Sequence, residues 1–173
     1  MIHLKELTRD DIPTINKWRQ DQEVSAGLGG PFRFIGIETE YAWFENYLKN
    51  RNTQVRCCVW DDDKLVGLIS LTSIDYVSRS CEAHILIGDE EGRKSGVGIV
   101  ASELMAEHTF FNMNLRRATI TVLEENTAAI KLNEYLGYVR EGVLRQSVYK
   151  QGEYKNQIIM GLLREDYMAR RDV

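Results

Sequence analysis

Residues 90–98 (EEGRKSGVG) combine basic side chains with two glycines one residue apart, directly before an apolar helical pattern. Glycine adopts backbone angles that other residues avoid, and the first amides of a helix lack partners within that helix. Together with the helix dipole and the charges of Arg93 and Lys94, those amides favour a bound phosphate or pyrophosphate. The sequence therefore predicts an anion-binding turn between a strand and a helix.

Two nucleotide-binding motifs compete for this turn, and neither fits. A phosphate-binding loop for ATP needs G-x-x-x-x-G-K-[ST], and the sequence contains no such run. Gly96, Gly98 and Ala101 do match the G-x-G-x-x-A of a dinucleotide-binding fold. That fold places the turn after its first strand, within a long alternation of strands and helices, whereas hairpin patterns precede the turn here.

The cysteines and histidines do not predict a metal site. Cys57, Cys58 and Cys81 lack CxxC spacing, and adjacent cysteines in a strand point to opposite faces. The histidines show no pairing at the spacing of metal ligands. We expect the cysteines to be small buried residues in a reducing cytoplasm rather than disulfide partners.

The elements that must position the glycine turn follow from hydrophobic periodicity. Strands are predicted at residues 2–7, 55–61, 65–74, 80–88 and 116–123, with two more around a turn at 150–155. Helices are predicted after residue 8, at 38–50, after the glycine turn and at 126–136, with a loop at 27–34. The order β-α-α-β-β-β-α-β-α-β-β defines an α+β fold with a mixed, largely antiparallel central sheet.

Two of these helices carry a clear apolar stripe. The first, opened by a capping box of Thr8 and Asp11, is expected to bury Ile12, Ile15 and Trp18. The helix after the glycine turn is expected to bury Val97, Val100, Ala101, Leu104, Met105 and Phe111. Both stripes predict that the helices pack on the sheet.

Length, composition and charge narrow the class of protein. With 173 residues, 43% of them hydrophobic and 28% charged, the chain is expected to form one globular domain over residues 1–173. A net charge of −4 gives no general attraction for nucleic acid. Because the N-terminus lacks the apolar run of a signal peptide and no segment reaches membrane-spanning length, we expect a cytoplasmic protein without nucleic-acid or membrane partners.

A second motif follows the strand predicted at 116–123. ENTAAIKLNEYLGY (125–138) provides N-x-x-A-x-x-L at a helix start and a glycine–aromatic stop. Together with R-x-x-G-x-G upstream, it resembles the GNAT superfamily of acetyl-CoA-dependent N-acetyltransferases, whose order of elements matches nearly the whole chain. The resemblance implies a GNAT fold, acetyl-CoA as co-substrate, no metal, and acetyl transfer to an amine.

The resemblance also implies a cofactor site. Ile85, Leu86 and Ile87 would lie where a strand splays from its neighbour, with backbone groups free to pair with the pantetheine arm. Asn126 would bond that arm, cap its helix or do both, and Ala129 would leave the arm room. The pyrophosphate would be held by Arg93, Lys94, Ser95, Gly96, Val97 and Gly98.

Direct attack of an amine on a thioester needs an uncharged amine, and therefore a base or a water relay. Glu82, at the start of the splayed strand, is our first candidate for the base. His84 projects from the same face of that strand and is the second candidate. The alternative for Glu82 is a salt bridge with Arg79 or a solvated strand end.

The proton donor for the departing thiolate is where the sequence departs from the family pattern. Many GNAT enzymes carry a tyrosine seven residues after the motif asparagine, and Asn133 occupies that position here. Asn133 can donate a hydrogen bond to a thiolate but not a proton at neutral pH. Tyr135 projects from the helix about 200° away from residue 133. Tyr149 and Tyr154, on the last hairpin, are further candidates, and solvent is another source.

The acceptor amine remains open among several classes. The C-terminal half is similar to the spermidine acetyltransferase and RimJ/RimL-type ribosomal-protein acetyltransferase branch of the superfamily. Phe32, Arg33 and Tyr41 would suit an amino sugar, free or linked to a nucleotide, by stacking and by pairing with phosphate. A polyamine would instead use the carboxylates Asp21, Glu23, Glu38, Glu40 and Glu45.

These features favour a small-molecule amine over a protein N-terminal or lysine amine as acceptor. A peptide would need an open groove between the early loop and the last hairpin. A protein of another class, an acetyl-CoA-binding sensor without catalysis, is compatible with the missing tyrosine. The resemblance further implies a homodimer formed through the last strands.

Overall fold

The computed structural model describes residues 1–171 and shows a seven-stranded sheet flanked by helices. The strands are β1 (Ile2–Glu6), β2 (Val55–Asp61), β3 (Lys64–Asp75), β4 (Ser80–Ile87), β5 (Arg117–Leu123), β6 (Val139–Lys150) and β7 (Glu153–Leu163). The helices are α1 (Ile12–Gln20), α2 (Gln22–Ala26), α3 (Ile37–Lys49), α4 (Glu90–Lys94), α5 (Val97–Glu107), α6 (Thr127–Tyr135) and α7 (Arg164–Arg171).

The strands lie in the order β1-β2-β3-β4-β5-β7-β6. Neighbouring strands of the described chain run antiparallel, with the exception of β4 and β5, which run parallel. The connection from β4 to β5 passes through α4 and α5, as a parallel pair requires. The predicted mixed, largely antiparallel α+β sheet is therefore confirmed.

Two hydrophobic clusters cover the two faces of the sheet. Cys58 and Val59 are consecutive residues of β2, yet each is fully buried in a different cluster, because side chains alternate along a strand. The first cluster includes α5, and the second is built on α1 and α3. Both faces of the sheet are therefore packed against apolar side chains.

Helices α2, α4 and α7 were not predicted from the sequence. Helix α2 begins because the Asp21 carboxylate accepts bonds from the amides of Glu23 and Val24. Helix α4 begins in the same way, with the Asp89 carboxylate accepting from the amide of Gly92. Both helices contain only five residues, too few to show a helical hydrophobic period.

The stripe predicted for α5 is only partly correct. Val97, Ala101 and Met105 are buried at four-residue spacing, whereas Val100 and Leu104 flank the stripe and are exposed. Phe111 is also exposed, and Phe110 is fully buried in its place. The cause is a π-helical turn at residues 108–112, in which the amide of Met113 bonds the carbonyl of His108 and one extra residue enters the turn.

The start of α1 follows the prediction. The Asp11 carboxylate accepts hydrogen bonds from the amide and the hydroxyl of Thr8, at 2.8 and 2.7 Å. Ile12 and Ile15 are fully buried, and Trp18 is half-buried with its ring directly over Gly88 at the end of β4. A side chain at residue 88 would overlap that ring, so this glycine lets α1 pack against the end of β4.

The three cysteines are free thiols, and Cys58 and Cys81 are buried. Burial raises the pKa of Cys57 to about 11 and that of Cys81 to about 12, so these thiols are protonated at neutral pH.

Within residues 1–171, no helix is both long enough and apolar enough to cross a membrane.

Candidate active site

The site is a wedge that opens where β4 and β5 diverge. The two strands pair only over Ser80–Arg117, Cys81–Ala118 and Glu82–Thr119. Beyond Glu82, β4 remains paired with β3 on one side only, as far as Ile87. The edge of β4 at residues 83–87 is therefore open towards the wedge, which is the splay that the family resemblance implied.

The glycine turn closes one end of the wedge. Gly96 has a φ of +79°, in the left-handed region that favours glycine, and it is the N-cap of α5. The carbonyl of Gly96 accepts the amides of Ile99 and Val100, which leaves the first two amides of the helix, those of Val97 and Gly98, pointing out of its end. The helix dipole adds partial positive charge at the same place.

Of the side chains at residues 93–97, that of Arg93 lines the wedge, whereas the others contact other parts of the protein. Arg93 lines the wedge and donates from Nη1 to the carbonyl of Gly88 at 3.0 Å. Lys94 instead forms a salt bridge with Glu90 at 2.7 Å, and the Ser95 hydroxyl donates to the carbonyl of Gly92. The Val97 side chain is buried in the core, so this residue offers only its backbone to a ligand.

Asn126 joins α6 to the loop that follows α2. Its Oδ1 accepts the amide of Ala129 at 3.1 Å, which makes it the N-cap of α6. Its Nδ2 donates to the carbonyl of Gly27, also at 3.1 Å. Asn126 and Ala129 line both halves of the wedge.

Two connected cavities fill the wedge. The first, about 670 Å³, lies against the glycine turn, and we call it the cofactor cleft; its lining includes residues 85–87, Arg93, Gly96 and Gly98. The second, about 430 Å³, is called the acceptor cavity, and its lining includes His84, Asn133 and Gln157. The two cavities share Gly27, Leu28, Ile85, Asn126, Ala129 and Leu132.

Glu82 and His84 project from the same face of β4, because they are two residues apart. Oε2 of Glu82 lies 3.9 Å from Nε2 of His84, and the same nitrogen lies 2.8 Å from the hydroxyl of Thr72. Burial lowers the pKa of His84 below its usual value of 6.5; Glu82 opposes this effect and the guanidinium of Arg56 adds to it. The imidazole is therefore neutral at pH 7.

The alternative partner for Glu82 is wrong. Arg79 donates instead to the backbone carbonyl and the side-chain oxygen of Asn114, both at 2.8 Å. Glu82 remains exposed, and a neutral His84 does not cancel its charge. Glu82 lines neither cavity, but its carboxylate lies 3.9 Å from His84, which lines the acceptor cavity.

The candidate proton donors occupy different places. Asn133 is 3% exposed, lines the acceptor cavity and donates from Nδ2 to the carbonyl of Ala129 at 2.8 Å. Tyr135 is exposed on the opposite side of α6, where it lines the cofactor cleft and the guanidinium of Arg170 lies over its ring. The structure brings Tyr149 to neither cavity: its ring packs edge-on against Tyr154 near the tip of the last hairpin.

The candidate acceptor residues of the early region are also dispersed. Tyr41 packs beside the second hydrophobic cluster under the guanidinium of Arg9, which lies 4.1 Å from its ring centre. Phe32 stacks edge-on with Phe34 and lines a separate cavity near the last hairpin. Arg33 is exposed and lines neither half of the wedge.

Three of the five early carboxylates are engaged elsewhere. Glu40 is buried in a salt bridge with Arg19, and Glu45 pairs with Arg9, both at 2.9 Å. Asp21 caps α2. Glu23 lines the cofactor cleft, and Glu38 is exposed and lines neither cavity, so these residues do not form the polyamine cluster considered from the sequence.

Several residues of the wedge were not predicted from sequence. Lys131 lines the cofactor cleft, and its spacing from Ala128 and Tyr135, three and four residues away, was a helical signal for that face. Leu28 and Gln157 line the acceptor cavity from a loop and from β7. No local pattern marks those two, because their position depends on contacts between distant parts of the chain.

Comparison with known proteins agrees with this fold. Residues 2–139 match the acetyltransferase (GNAT) domain family. A spermidine N(1)-acetyltransferase of Vibrio cholerae serotype O1 is 31% identical over 98% of this chain and 96% of its own length. The spermidine N(1)-acetyltransferase of Escherichia coli strain K12 is 27% identical over 97% of this chain and 89% of its own.

A crystal structure of spermidine N-acetyltransferase from Vibrio cholerae, in complex with CoA and spermine, has a similar fold. Its TM-score is 0.90 at 24% identity, over 96% of this chain and 98% of that one. The chain belongs to the GNAT acetyltransferase family and is an acetyl-CoA-dependent N-acetyltransferase. Family membership as an enzyme also removes the hypothesis of a sensor without catalysis.

Proposed function

We propose that the chain transfers the acetyl group of acetyl-CoA to a primary amine of a polyamine such as spermidine. The observation that carries this proposal is the divergence of β4 and β5 beyond Glu82, which connects the cofactor cleft to the acceptor cavity. The similarity to spermidine N-acetyltransferases over nearly the whole chain supports a polyamine as the acceptor.

The cofactor cleft suits acetyl-CoA, which supplies an activated thioester when bound. The outward amides of Val97 and Gly98 and the guanidinium of Arg93 would hold the pyrophosphate. The open edge of β4 at residues 85–87 would pair with the amides of the pantetheine arm, as an added strand does. The small side chain of Ala129 leaves that arm room on the side of α6.

Lys131 supplies a second cation to the same cleft. Lys94, the cation expected from the sequence, is paired with Glu90 and does not line the cleft, whereas Lys131 does. Its ammonium would attract a phosphate of the cofactor to the α6 side of the cleft. The side chains of Ser95 and Val97 are not assigned to phosphate binding. The Ser95 hydroxyl donates to the carbonyl of Gly92, and the Val97 side chain is buried in the core.

The acceptor cavity suits a small molecule better than a peptide. The last two residues of α2 and the glycine-rich loop that follows them, together called the loop at residues 25–30, are hydrogen-bonded to Lys150 at the end of β6. Lys150 thus bridges the early loop and the last hairpin. A peptide acceptor would need an open groove at that place. The cavity volume of about 430 Å³ is in the range of sites for small ligands.

Glu82 and His84 prepare the amine for attack. The uncompensated carboxylate of Glu82 attracts a cationic amine to the mouth of the acceptor cavity. Glu82 then accepts the proton of the attacking nitrogen, directly or through a water molecule, and the neutral imidazole of His84 is the second acceptor within reach.

Asn133 stabilises the leaving thiolate by a hydrogen bond. Its Nδ2 uses one of two N–H groups for the carbonyl of Ala129, which leaves the other N–H for the acceptor cavity. Solvent supplies the proton. Tyr135 is not assigned the role of proton donor, because it faces the cofactor cleft on the other side of α6, and Tyr149 is not assigned it because its ring packs on Tyr154.

A thiol-release assay with acetyl-CoA tests this function. The acceptor panel comprises spermidine, spermine, free and nucleotide-linked amino sugars, and peptides with free N-termini. We expect turnover with the polyamines, and Glu82→Gln should lower kcat by about 10²- to 10⁴-fold, the usual contribution of a general base. The matched control is Glu91→Gln, which removes an exposed carboxylate of α4 that pairs with Lys64.

Each outcome of the assay is decisive. Turnover restricted to amino sugars or to peptides overturns the polyamine as acceptor while leaving the acetyltransferase activity intact. Equal rates for Glu82→Gln and Glu91→Gln overturn Glu82 as the base. A parallel Asn133→Ala variant that retains the full kcat overturns the assignment of Asn133 to the thiolate.

A further inference from the structure

Lys150, at the end of β6, is a lysine buried within the protein. The residue is 5% exposed. Its Nζ donates to the backbone carbonyls of Ser25, Leu28 and Gly30 at 2.7, 2.7 and 2.6 Å. These carbonyls lie 120 to 125 residues away in the chain, so the contact joins two distant segments.

An ammonium has three N–H donors, and the loop provides three acceptors for them. Burial lowers the pKa of Lys150, and the carboxylate of Glu125 opposes that effect. The carbonyl of Ser25 belongs to the last turn of α2, where the helix dipole favours a positive charge. A buried charge needs such partners, because an unpaired one is strongly destabilising.

The loop at residues 25–30 is the segment that these bonds hold. Gly27 and Leu28 line both cavities of the wedge, and Gly29 and Gly30 line the acceptor cavity alone. The loop has a second attachment, since Nδ2 of Asn126 donates to the carbonyl of Gly27. The loop contains three glycines, so without these hydrogen bonds it could adopt many backbone conformations. Its position therefore depends on the bonds from Lys150 and Asn126.

We propose that Lys150 is a positioning residue that holds the loop at residues 25–30 against the acceptor cavity and thereby sets the affinity for the acceptor. The role rests on the proposed function of that cavity. Asn126 binds the carbonyl of Gly27, which lines both cavities, whereas Lys150 binds Leu28, which also lines both, and Gly30, which lines the acceptor cavity alone. Loss of Lys150 therefore affects the acceptor more than acetyl-CoA.

The test compares Lys150→Met with Lys150→Arg and with a matched control, Lys155→Met. Methionine keeps an apolar stem but has no donor, and a planar guanidinium does not match three converging carbonyls. Lys155 lies on the same hairpin but pairs with the side chains of Glu125 and Glu153. We expect both Lys150 variants to raise the acceptor KM by at least about tenfold, because the competent fraction of the protein falls, while kcat and the Kd for acetyl-CoA change less.

Hydrogen–deuterium exchange of peptides covering residues 25–30 gives a readout that needs no acceptor. We expect faster exchange in this loop for Lys150→Met, with β3 and α5 unchanged, and wild-type exchange for Lys155→Met. Unchanged loop exchange overturns the role of Lys150. Faster exchange throughout the protein also overturns it, because Lys150 would then serve global stability.

The two proposals fail in distinguishable ways. If the wild type acetylates no polyamine, the proposed function fails, and the exchange experiment still decides whether Lys150 holds the loop. If polyamines are acetylated and the loop loosens in Lys150→Met while the acceptor KM stays at the wild-type value, the loop does not set acceptor affinity. Equal KM increases in Lys150→Met and Lys155→Met likewise overturn the control of acceptor affinity by the loop.

Discussion

The side chains of Glu82 and His84 are exposed to a similar extent, 57% and 54%, and they differ in charge because a carboxylate and an imidazole titrate in different pH ranges. Partial desolvation further lowers the pKa of His84, with a smaller effect of Arg56, although the Glu82 carboxylate 3.9 Å away favours the imidazolium. Glu82 is exposed and remains available to a cation. A single strand thus places an anionic group and a neutral base on one face, which is the pair of properties that an amine acceptor requires.

The first prediction concerns pH. An acceptor amine is almost entirely protonated near neutrality, so log(kcat/KM) should rise with pH at a slope of about 1. The pKa of His84 is below 6.5, and a protonated His84 can no longer accept a proton and pairs with the Glu82 carboxylate, so the slope should steepen towards about 2 only at pH values below 6.5. In His84→Gln the slope should stay near 1, because no imidazole is left to titrate.

The same shift predicts a loss of stability in acid. Because the unfolded chain binds a proton to His84 more readily than the folded chain does, stability falls as the pH decreases below 6.5. Circular dichroism at each pH must therefore accompany the rate measurements. Identical slopes for the wild type and His84→Gln, with both proteins folded, would contradict a role for the imidazole in proton transfer.

At the scale of elements, Asn126 has two separable tasks. Its Oδ1 caps α6, and its Nδ2 holds the loop through the carbonyl of Gly27. Asn126→Asp keeps the acceptor of the cap but removes the donor, whereas Asn126→Ala removes both. We expect Asn126→Ala to lower the free energy of unfolding by about 1 kcal/mol and Asn126→Asp to change it by only a few tenths.

Both Asn126 variants should weaken substrate binding, because both release the loop from α6. Urea unfolding measures the free energy of unfolding and so reports the loss of the cap. Steady-state KM values report the loss of the bond to Gly27. A KM for Asn126→Asp equal to that of the wild type would show that the bond to Gly27 does not position the loop.

At the scale of the whole molecule, β6 forms one edge of the sheet and β1 the other. Val139, Val143 and Leu144 on β6 are 57%, 50% and 40% exposed. A long edge strand with exposed apolar residues is suited to pairing with another chain. The homodimer implied by the family resemblance therefore remains a prediction, with β6 as its interface.

Sedimentation velocity tests this assembly. We expect a dimer for the wild type and a shift towards monomer for Val143→Lys, which places a charge on the apolar edge. His3→Lys on β1, at the opposite edge, is the matched control and should sediment as the wild type does. A monomeric wild type, or a Val143→Lys dimer as stable as the wild type, would contradict β6 as the interface.

The sequence by itself determined the local features of the site. The left-handed angle at Gly96 and the N-cap of Asn126 are properties of a few consecutive residues, and both follow from residue type and spacing. The alternation that places Glu82 and His84 on one face is likewise local. These short-range rules also predicted the order of the main strands and helices.

Only the tertiary structure decided which groups remain free to act. Arg79 binds Asn114 and therefore does not pair with Glu82, whereas Glu40 forms a salt bridge with Arg19. Lys150 reaches a loop more than 100 residues away, and this contact shapes the acceptor cavity. The physical reason is that a charge in a folded chain pairs with its nearest partner in space, and spatial neighbours across a sheet leave no periodic trace in the sequence.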